Sequence, residues 1–360
     1  MPYKPFKYRT KRRGAVAVKI VLLLIPIMGM FALAIDYGYL LKVRTDLQRA
    51  ADLAALAAVR DLVPEANGNQ DLAAVRATVR QYADANIQGV ANLQVPASDI
   101  EIGRYDPSTI YSNLTILNDG DFDTVRVTVR RDTQANSPVS LFFARVIGMS
   151  DSGVNATATA VLRKASTLRP GNAVLPFAVP NHVWDSHRVG DSWKIYTDGK
   201  IQDSLGNSIS GNWGTVDIGD TNNSTAELSA QISNGLTQSD LDALYRDGRI
   251  STNAAIDTSE TLSLQGESGL SSGISSAVLA IEGQVRYIPI FNTITGSGNA
   301  AEFNIIGWGA VKVLNSNWQG ETWIRIEKTT TYDLDLQPHY DLSNTSETID
   351  GAFTTAALAE

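Results

Sequence analysis

The hydrophobic pattern begins with a long apolar stretch near the N-terminus. Residues 15–41 are apolar except for interruptions at Lys19, Pro26 and Asp36. The uncharged part, residues 20–35, covers about 24 Å as a helix, slightly less than the roughly 30 Å hydrocarbon core of a bilayer. The ends supply the difference, because the stem of Lys19 can reach the headgroups and Asp36 can lie at the opposite interface. The pattern predicts one transmembrane helix over residues 15–41.

The helical pattern continues beyond this apolar stretch. Strong helix formers follow, with no glycine or proline between residue 42 and Pro64. Helical spacing places one set of apolar and mostly small side chains on a single face: Leu40, Leu47, Ala51, Ala54, Ala58 and Leu62. Small side chains permit close approach of a second element. Two interpretations stay open, since this face can pack on the chain's own sheet or on a helix of another subunit.

A cleaved secretory signal peptide is an alternative for the same segment. Residues 1–14 are basic, residues 20–31 form a short apolar region, and Ala32-Leu33-Ala34 supplies a cleavage pattern of small residues. Under this alternative the mature chain starts at Ile35. The uninterrupted helical pattern beyond that point favours an uncut anchor.

After a turn at residues 64–69, the pattern indicates an α+β domain, so that residues 42–165 form one unit. A helix is predicted over residues 71–87, with Leu72, Val75, Val79 and Tyr82 on one face. Strands are predicted at 100–105, 111–117, 124–131 and 154–162, with a short helix at 140–147. Val125, Val127 and Val129 give the clearest strand face, and we expect the long N-terminal helix to pack on this antiparallel sheet.

A second, β-rich domain is predicted over residues 166–360. Its start is marked by a break in the alternation and by Lys164, Arg169, Pro170 and Gly171, and it holds all six tryptophans. Thr237 is predicted to cap a short helix that reaches Tyr245. Strands are predicted at 284–293, 302–314 and 322–330, with Pro289 at an edge or a bulge, and the C-terminus is expected to be a polar tail.

Charge and composition narrow the range of possible functions. The net charge is −8, yet residues 1–14 carry six basic side chains and no acid. The positive-inside rule places this basic tail in the cytoplasm and the body on the other side of the membrane. The acidic body argues against a nucleic-acid partner. Because the chain has no cysteine, disulfides, thiolate nucleophiles and Cys-ligated metal sites are excluded.

Three ordered stretches near the N-terminus carry a resemblance to a known family. They are Arg12-Arg13-Gly14-Ala15-Val16-Ala17-Val18, Ala34-Ile35-Asp36-Tyr37-Gly38 and the run from Arg44 to Ala58. Together they resemble the N-terminal module of the TadE/TadG-like proteins of the bacterial tight-adherence (Flp) pilus systems. Stretches at 175–180, 211–214 and 305–311 resemble the exported region of TadG-type proteins. The resemblance implies a pilin-like helix on a sheet and partners among pilus-assembly proteins.

One position departs from the pilin pattern. Pilin-like proteins that are trimmed by a prepilin peptidase carry Glu five residues after the glycine at the cut, and counting from Gly14 that position is Lys19. A cation cannot pair with a neighbour's new N-terminal amine in the same way. The departure favours the TadG-like branch, understood as an uncleaved, membrane-anchored assembly factor or minor subunit. The alternative is that Lys19 simply snorkels to the headgroups.

These observations select a set of candidate residues for membrane and assembly contacts. Pro26 is expected to kink the helix. Asp36 is interpreted either as an interfacial acid that water can reach or as the partner of another subunit's cation, since Lys19 lies about 25 Å away along the same helix. The full set is Gly14, Lys19, Pro26, Asp36, Arg44, Leu47, Ala51, Ala54 and Ala58.

Signals for catalysis and for metal binding are weak. His182, Asp185 and His187 are the one place where two histidines lie close to an acid, in an expected loop, and their spacing fits no helical metal motif. The stretch Asp341-Leu342-Ser343-Asn344-Thr345 resembles the metal motif of von Willebrand A-type domains only superficially and is interpreted as polar tail. We expect no enzyme activity, cofactor, metal or small-molecule substrate.

The sequence therefore predicts an α+β protein with a single transmembrane helix that continues into an amphipathic helix on an antiparallel sheet, followed by a β-rich domain. The expected function is that of an accessory or minor-subunit protein of Flp pilus assembly in the bacterial inner membrane. Its expected partners are other pilus-assembly proteins, pilin-like helices and lipid. Two alternatives remain, a secreted surface- or carbohydrate-binding module that uses exposed tryptophans and a periplasmic hydrolase that depends on His182, Asp185 or His187.

Overall fold

The computed structural model describes residues 13–65, 69–87, 89–90, 92–105, 114–115, 122–209, 213–219, 224–269, 272–296, 301–333, 335–338 and 349–359. The basic residues before Arg13, most of the strand predicted at 111–117 and the stretch 341–345 lie outside these ranges. The described chain is α+β, with an N-terminal apolar helix followed by β-rich sheets, as the sequence predicts.

Six α-helices occur in the described ranges: α1 (Arg13–Ala58), α2 (Leu72–Ala85), α3 (Asn181–Ser186), α4 (Thr225–Asn234), α5 (Gln238–Arg246) and α6 (Ser275–Ala280). Short 3-10 helices span Val59–Leu62, Ala97–Asp99, Ala144–Ile147 and Ser272–Ile274. α1 is continuous through Pro26, so the predicted membrane helix and the predicted amphipathic helix are one element. The capping box predicted at Thr237 is present, with Asp240 as its second member.

The first sheet follows α1 and α2 along the chain. Its main strands are β1 (Ile100–Tyr105), β2 (Leu114–Thr115), β3 (Thr124–Arg131) and β6 (Val154–Leu168), each antiparallel to its neighbour in the order β6-β3-β1-β2. The segment predicted as one short helix at 140–147 instead holds β4 (Val139–Ser140), paired with β5 (Asp151–Ser152), and the 3-10 helix Ala144–Ile147. This small hairpin projects from the chain between β3 and β6.

α1 packs on the valine face of this sheet. Val125, Val127 and Val129 are all buried, as predicted from their alternation. The buried face of α1 presents mostly alanines to them, and α2 adds Val75 and Val79 to the same core. Small side chains let the helix axis come close to the strands, so the core is filled mainly by the valines.

The second sheet contains a closed ring of five strands. These are β7 (Phe177–Pro180), β11 (Gly214–Val216), β13 (Leu262–Ser268), β14 (Val285–Thr295) and β15 (Ala301–Asn317). The pairings β15–β13, β13–β11, β11–β7 and β14–β15 are antiparallel, and a parallel pairing of β7 with β14 closes the ring. Pro289, predicted at an edge or a bulge, pairs in register with Trp308, and the register of β14 shifts two residues later, between Ile290 and Phe291.

Further strands extend this second sheet from the outer part of β15. They are β8 (Ser192–Tyr196), β9 (Ile201–Gln202), β10 (Ser208–Ile209) and β16 (Trp323–Lys328), in the order β10-β9-β8-β16-β15. The buried side chain of Phe303 lies against Gly214 and Gly266, where a Cβ atom on either residue would meet its phenyl group at 2.6 or 2.9 Å. These two glycines therefore make room for this aromatic side chain in the core.

The C-terminal part of the chain returns to the first sheet. β17 (Thr331–Tyr332) pairs with β19 (Ala352–Ala359), which in turn lies antiparallel to β6, whereas β12 (Ile256–Asp257) and β18 (Gln337–Pro338) pair with the far end of β6. The structure thus differs from the expected polar tail, because β19 gives the edge of β6 its hydrogen-bond partners. β6 also continues to Leu168, through the segment where alternation was expected to stop. The division of the chain into units at residues 165 and 166 stays a prediction.

Candidate membrane and assembly surface

The N-terminal half of α1 presents an apolar surface to its surroundings. Among residues 18–24 and 26–35, every side chain except that of Ala32 is exposed, including Leu22, Phe31 and Ile35. In the described part of the chain, this is the one helix long and apolar enough to cross a membrane. Gly14 lies in its first turn, Lys19 is exposed, and Pro26 interrupts neither the helix nor its apolar surface.

Asp36 lies where this apolar surface ends, and its surroundings differ from both expectations. Its side chain is 3% exposed. Its carboxylate accepts hydrogen bonds from the backbone N–H groups of Phe142, Phe143 and Ala144, at 2.8, 2.9 and 2.6 Å. These donors belong to the start of the 3-10 helix Ala144–Ile147, where N–H groups lack partners within the helix. The structure corrects the expectation, because Asp36 binds its own chain and needs neither water nor another subunit's cation.

The small-residue face of α1 lies inside the body. Leu47, Ala51, Ala54 and Ala58 are all fully buried and pack in the core with the valines of β3. Of the two interpretations left open by the sequence, packing on the chain's own sheet is the one observed. The candidate site is corrected accordingly, because these four side chains cannot contact another subunit's helix while the sheet covers them.

Family models cover this part of the chain. Residues 14–61 match a model described as putative Flp pilus-assembly TadE/G-like, and residues 49–160 match a model described as putative Tad-like Flp pilus-assembly. Together the two matches span residues 14–160, which we call the Tad region. This part of the chain is similar to Tad-type Flp pilus-assembly proteins, and the two matches support a role related to pilus assembly. No curated protein and no solved structure matches the chain.

The Tad region coincides with structural elements. The first match covers α1 and the 3-10 helix Val59–Leu62, and the second runs from the last part of α1 through α2, β1 and β3 into β6. Both matches end before the five-stranded ring. The membrane-type helix and the sheet that packs on it are therefore the elements that carry the family relationship.

A different part of α1 is accessible in the Tad region. Beyond Asp36, the side chains of Tyr37, Leu41, Arg44, Arg49 and Leu53 are exposed. Of these, only Arg44 is among the candidate residues predicted from the sequence. The sequence contains a signal for the other exposed residues, because their positions fall between the buried ones with helical spacing. Leucine or tyrosine at such positions is unusual for a purely solvated face.

The histidine cluster does not form a metal site. His187 is buried, donates its Nδ1–H to the carbonyl oxygen of Val183 at 2.8 Å, and stacks on Trp193 with ring centroids 4.3 Å apart. His182 and Asp185 lie on α3, a short helix where a loop was expected, and are exposed. No group of three or more histidines and acids that could hold a metal occurs among the described residues.

All six tryptophans lie outside the Tad region, and each is buried or partly buried. Trp184, Trp193, Trp213 and Trp308 are buried, and Trp318 and Trp323 are partly buried. Lys194 lies over the ring of Trp323 at 4.3 Å. The premise of the carbohydrate-binding alternative, a set of exposed tryptophans, is therefore wrong for this fold.

Proposed function

We propose that this chain is a membrane-anchored component of Flp pilus assembly that remains uncut and acts through contacts with other assembly proteins. The observation that carries the proposal is the continuity of α1. Its N-terminal half is apolar and exposed, and its C-terminal half is the central helix of the Tad-region core. One rigid element thus belongs both to the membrane and to the body.

The length of α1 defines what the anchor does mechanically. The helix has 46 residues, which corresponds to about 69 Å at 1.5 Å per residue. No loop separates the apolar half from the half packed on the sheet, so the body follows the tilt and rotation of the membrane helix. A component of this kind holds its body at a fixed height above the membrane and at the tilt of the membrane helix, beside neighbouring assembly proteins.

The surroundings of the proposed cleavage pattern support an uncut anchor. Ala34 lies inside α1, and a peptidase requires an extended segment at its cut. Cleavage after Ala34 would leave Asp36 as the second residue of the mature chain, with three backbone hydrogen bonds at a frayed terminus. Lys19 in place of glutamate supports the TadG-like branch over a trimmed pilin.

The orientation that we propose follows from the basic N-terminal tail. The tail lies in the cytoplasm, α1 crosses the inner membrane, and all residues after Asp36 lie on the opposite side. The exposed residues of α1 beyond Asp36, chiefly Leu41, Arg44 and Leu53, form the surface offered to other helices of the assembly. Apolar side chains flanked by arginine fit a partner helix with apolar and acidic positions.

Topology can be tested cleanly because the chain has no cysteine. Single variants Thr10→Cys and Gln134→Cys are expressed in cells and treated with a maleimide that does not cross the inner membrane. We expect labelling of residue 134 in cells with a permeable outer envelope, and labelling of residue 10 only after lysis. Intact mass of the membrane-extracted protein, measured in parallel, must retain the N-terminal tail. Labelling of both residues in unlysed cells, or a mass that starts at Ile35, contradicts the anchor.

Assembly contacts can be tested by charge reversal on the exposed part of α1. The double variant Arg44→Glu with Arg49→Glu is expected to reduce pilus display while the protein stays abundant in membranes, since neither side chain is buried. Arg188→Glu, an exposed change outside the Tad region, is the matched control. Equal display in both variants contradicts a role of this surface in assembly.

A further inference from the structure

A second apolar surface lies beside the membrane end of α1. The segment Phe142 to Met149, which we call the apolar turn, exposes five large hydrophobic side chains with exposed fractions from 45% to 90%, the largest at Val146: Phe142, Phe143, Val146, Ile147 and Met149. The turn contains no acidic residue, and its one charged side chain, Arg145, is exposed. A soluble domain rarely presents so many large apolar side chains together without a partner surface.

The apolar turn is held in place at its base. Leu141 and Ala144 are buried, β4 pairs with β5 on either side of the turn, and Met149 donates its backbone N–H to the carbonyl oxygen of Ala144 at 3.1 Å. Gly148 has a φ of 88°, the left-handed conformation that glycine adopts without strain, and closes the 3-10 helix. The exposed side chains are therefore carried by a constrained backbone.

Asp36 fixes the height of this turn relative to the apolar half of α1. Side chains on a helix lean toward its N-terminus, so the Asp36 carboxylate lies over the preceding helical turn, on the membrane side of its own Cα. Ala32, one turn before Asp36, is the only partly buried residue among 18–24 and 26–35. The ring of Phe142 also contacts that of Tyr39 with centroids 5.4 Å apart. The apolar turn is thus held beside Asp36, where the apolar helix surface ends.

The electrostatics of the turn also fit the edge of a bilayer. The charge of Asp36 is directed at three backbone N–H groups and is shielded from the surroundings by burial. Within the turn, the exposed groups are aromatic and aliphatic side chains and one arginine, with Tyr37 exposed on α1 beside Asp36. The exposed polar residues of the hairpin, Ser140, Ser150 and Asp151, lie at its base. Aromatic rings at the headgroup level and a cation near anionic headgroups are the composition that favours the membrane interface.

We propose that the apolar turn inserts into the interfacial region of the same membrane that α1 crosses, as a second lipid contact of the body. This inference rests on the proposed membrane anchoring of α1 and adds a distinct contact to it. Anchoring by a single helix allows the body to rotate about the helix axis, whereas a second lipid contact beside the helix prevents this rotation. The turn therefore sets which side of the body faces the membrane and which faces the assembly.

The test uses the full chain in mixed phosphatidylcholine and phosphatidylglycerol vesicles. Val146→Cys carries an environment-sensitive nitrobenzoxadiazole label. Leu205→Cys is the matched control, an exposed apolar residue in the β9–β10 hairpin, and Leu22→Cys reports on the helix. We expect the label at residue 146 to be several-fold less accessible to aqueous iodide than the label at residue 205, and to be quenched by lipids that carry a spin label near the headgroup.

The outcomes separate this inference from the anchor on which it rests. A lipid-quenched label at residue 22 together with equal iodide access at residues 146 and 205 overturns the inference and leaves the anchor intact. A water-accessible label at residue 22 overturns the anchor itself. Protection of residue 146 without quenching by spin-labelled lipid means that protein covers the turn, and this also overturns the lipid contact.

Discussion

Trp184 lies against the backbone of Gly309, in the space that a Cβ atom at residue 309 would occupy. The indole Nε1 of Trp184 donates to Asp350 at 2.9 Å, and Lys328 lies over the ring at 4.3 Å and binds the same carboxylate at 3.0 Å. A glycine in β15 thus permits a contact between α3, the second sheet and the segment that leads back to the first sheet.

Gly309→Ala is therefore expected to destabilise the protein. The added methyl group meets the Trp184 ring, and overpacking of this kind costs about 1–3 kcal/mol. Gly307→Ala is the matched control, two residues away on the same strand, because nothing lies within 4 Å of a Cβ atom there. Denaturant unfolding of the purified full chain, followed by tryptophan fluorescence, compares the two. A similar loss in both variants means that the glycine-to-alanine change itself is responsible.

Asp36→Asn is expected to loosen the apolar turn. An amide in place of the carboxylate sets an NH2 group against buried backbone N–H donors, and a buried donor left without an acceptor costs about 1–3 kcal/mol. The readout is the rate of trypsin cleavage after Arg145, which we expect to rise. Asp46→Asn, which alters only a contact with Lys42 on the same helix, serves as the control. Unchanged cleavage in Asp36→Asn argues against the structural role of this carboxylate.

Ala54→Leu is expected to lower the amount of protein in membranes. Ala54 is fully buried between α1 and the sheet, and a larger side chain there costs about 1–3 kcal/mol through overpacking. Ala77→Leu makes the same change at an exposed position of α2 and is expected to leave abundance unchanged. Immunoblots of membrane fractions measure both variants. Full abundance of Ala54→Leu, with loss of pili, would instead support an intermolecular role of this face.

The free energy of unfolding is expected to depend on pH in the alkaline range through Tyr287. Burial raises the pKa of Tyr287, as does the hydrogen bond of 2.6 Å that its hydroxyl donates to Asp333. A raised pKa in the folded state means that its contribution to stability is fully present below the unfolded pKa of about 10 and is lost as the pH rises above it.

The matching variant is Tyr287→Phe, which lacks both the hydrogen bond and the titration. At pH 7 we expect it to be less stable than the parent by about 1 kcal/mol. As the pH rises above about 10, the difference in the free energy of unfolding should shrink, because only the parent loses stability through this group. Denaturant midpoints measured from neutral to alkaline pH give the comparison. A difference that stays constant with pH excludes this tyrosine as the titrating group.

Local pattern predicted much of the Tad region. β1 and β3 have the predicted bounds, α2 lies within the predicted range 71–87, and the alternation of Val125, Val127 and Val129 identified the face that α1 covers. These features depend on periodicities within a few residues, which the sequence shows directly. The two interpretations of the small-residue face of α1 could not be separated from the sequence, because a face of small side chains packs equally well on a sheet or on a helix.

The contacts that could not be predicted from the sequence join residues that are far apart along the chain. Asp36 binds backbone N–H groups more than a hundred residues away, and these donors carry no side-chain signal of their own. The parallel pairing of β7 with β14 that closes the ring is likewise invisible to periodicity. A polar tail was expected where β19 forms, since the stretch Ala352–Ala359 is half alanine, and alanine indicates a strand only weakly.

The pairing of β6 with β19 also determines when the body can finish folding. β6 belongs to the early part of the chain, and the strand that covers its second edge becomes available only after residues 169–351 have been synthesised. Until then β6 exposes a row of unpaired backbone groups, a template on which a strand of another molecule can add. Because β6 and β19 are far apart along the chain, their pairing is also expected to be a slow step of folding. Under the proposed topology, a partly exported chain held beside other subunits by α1 would therefore need protection of this edge.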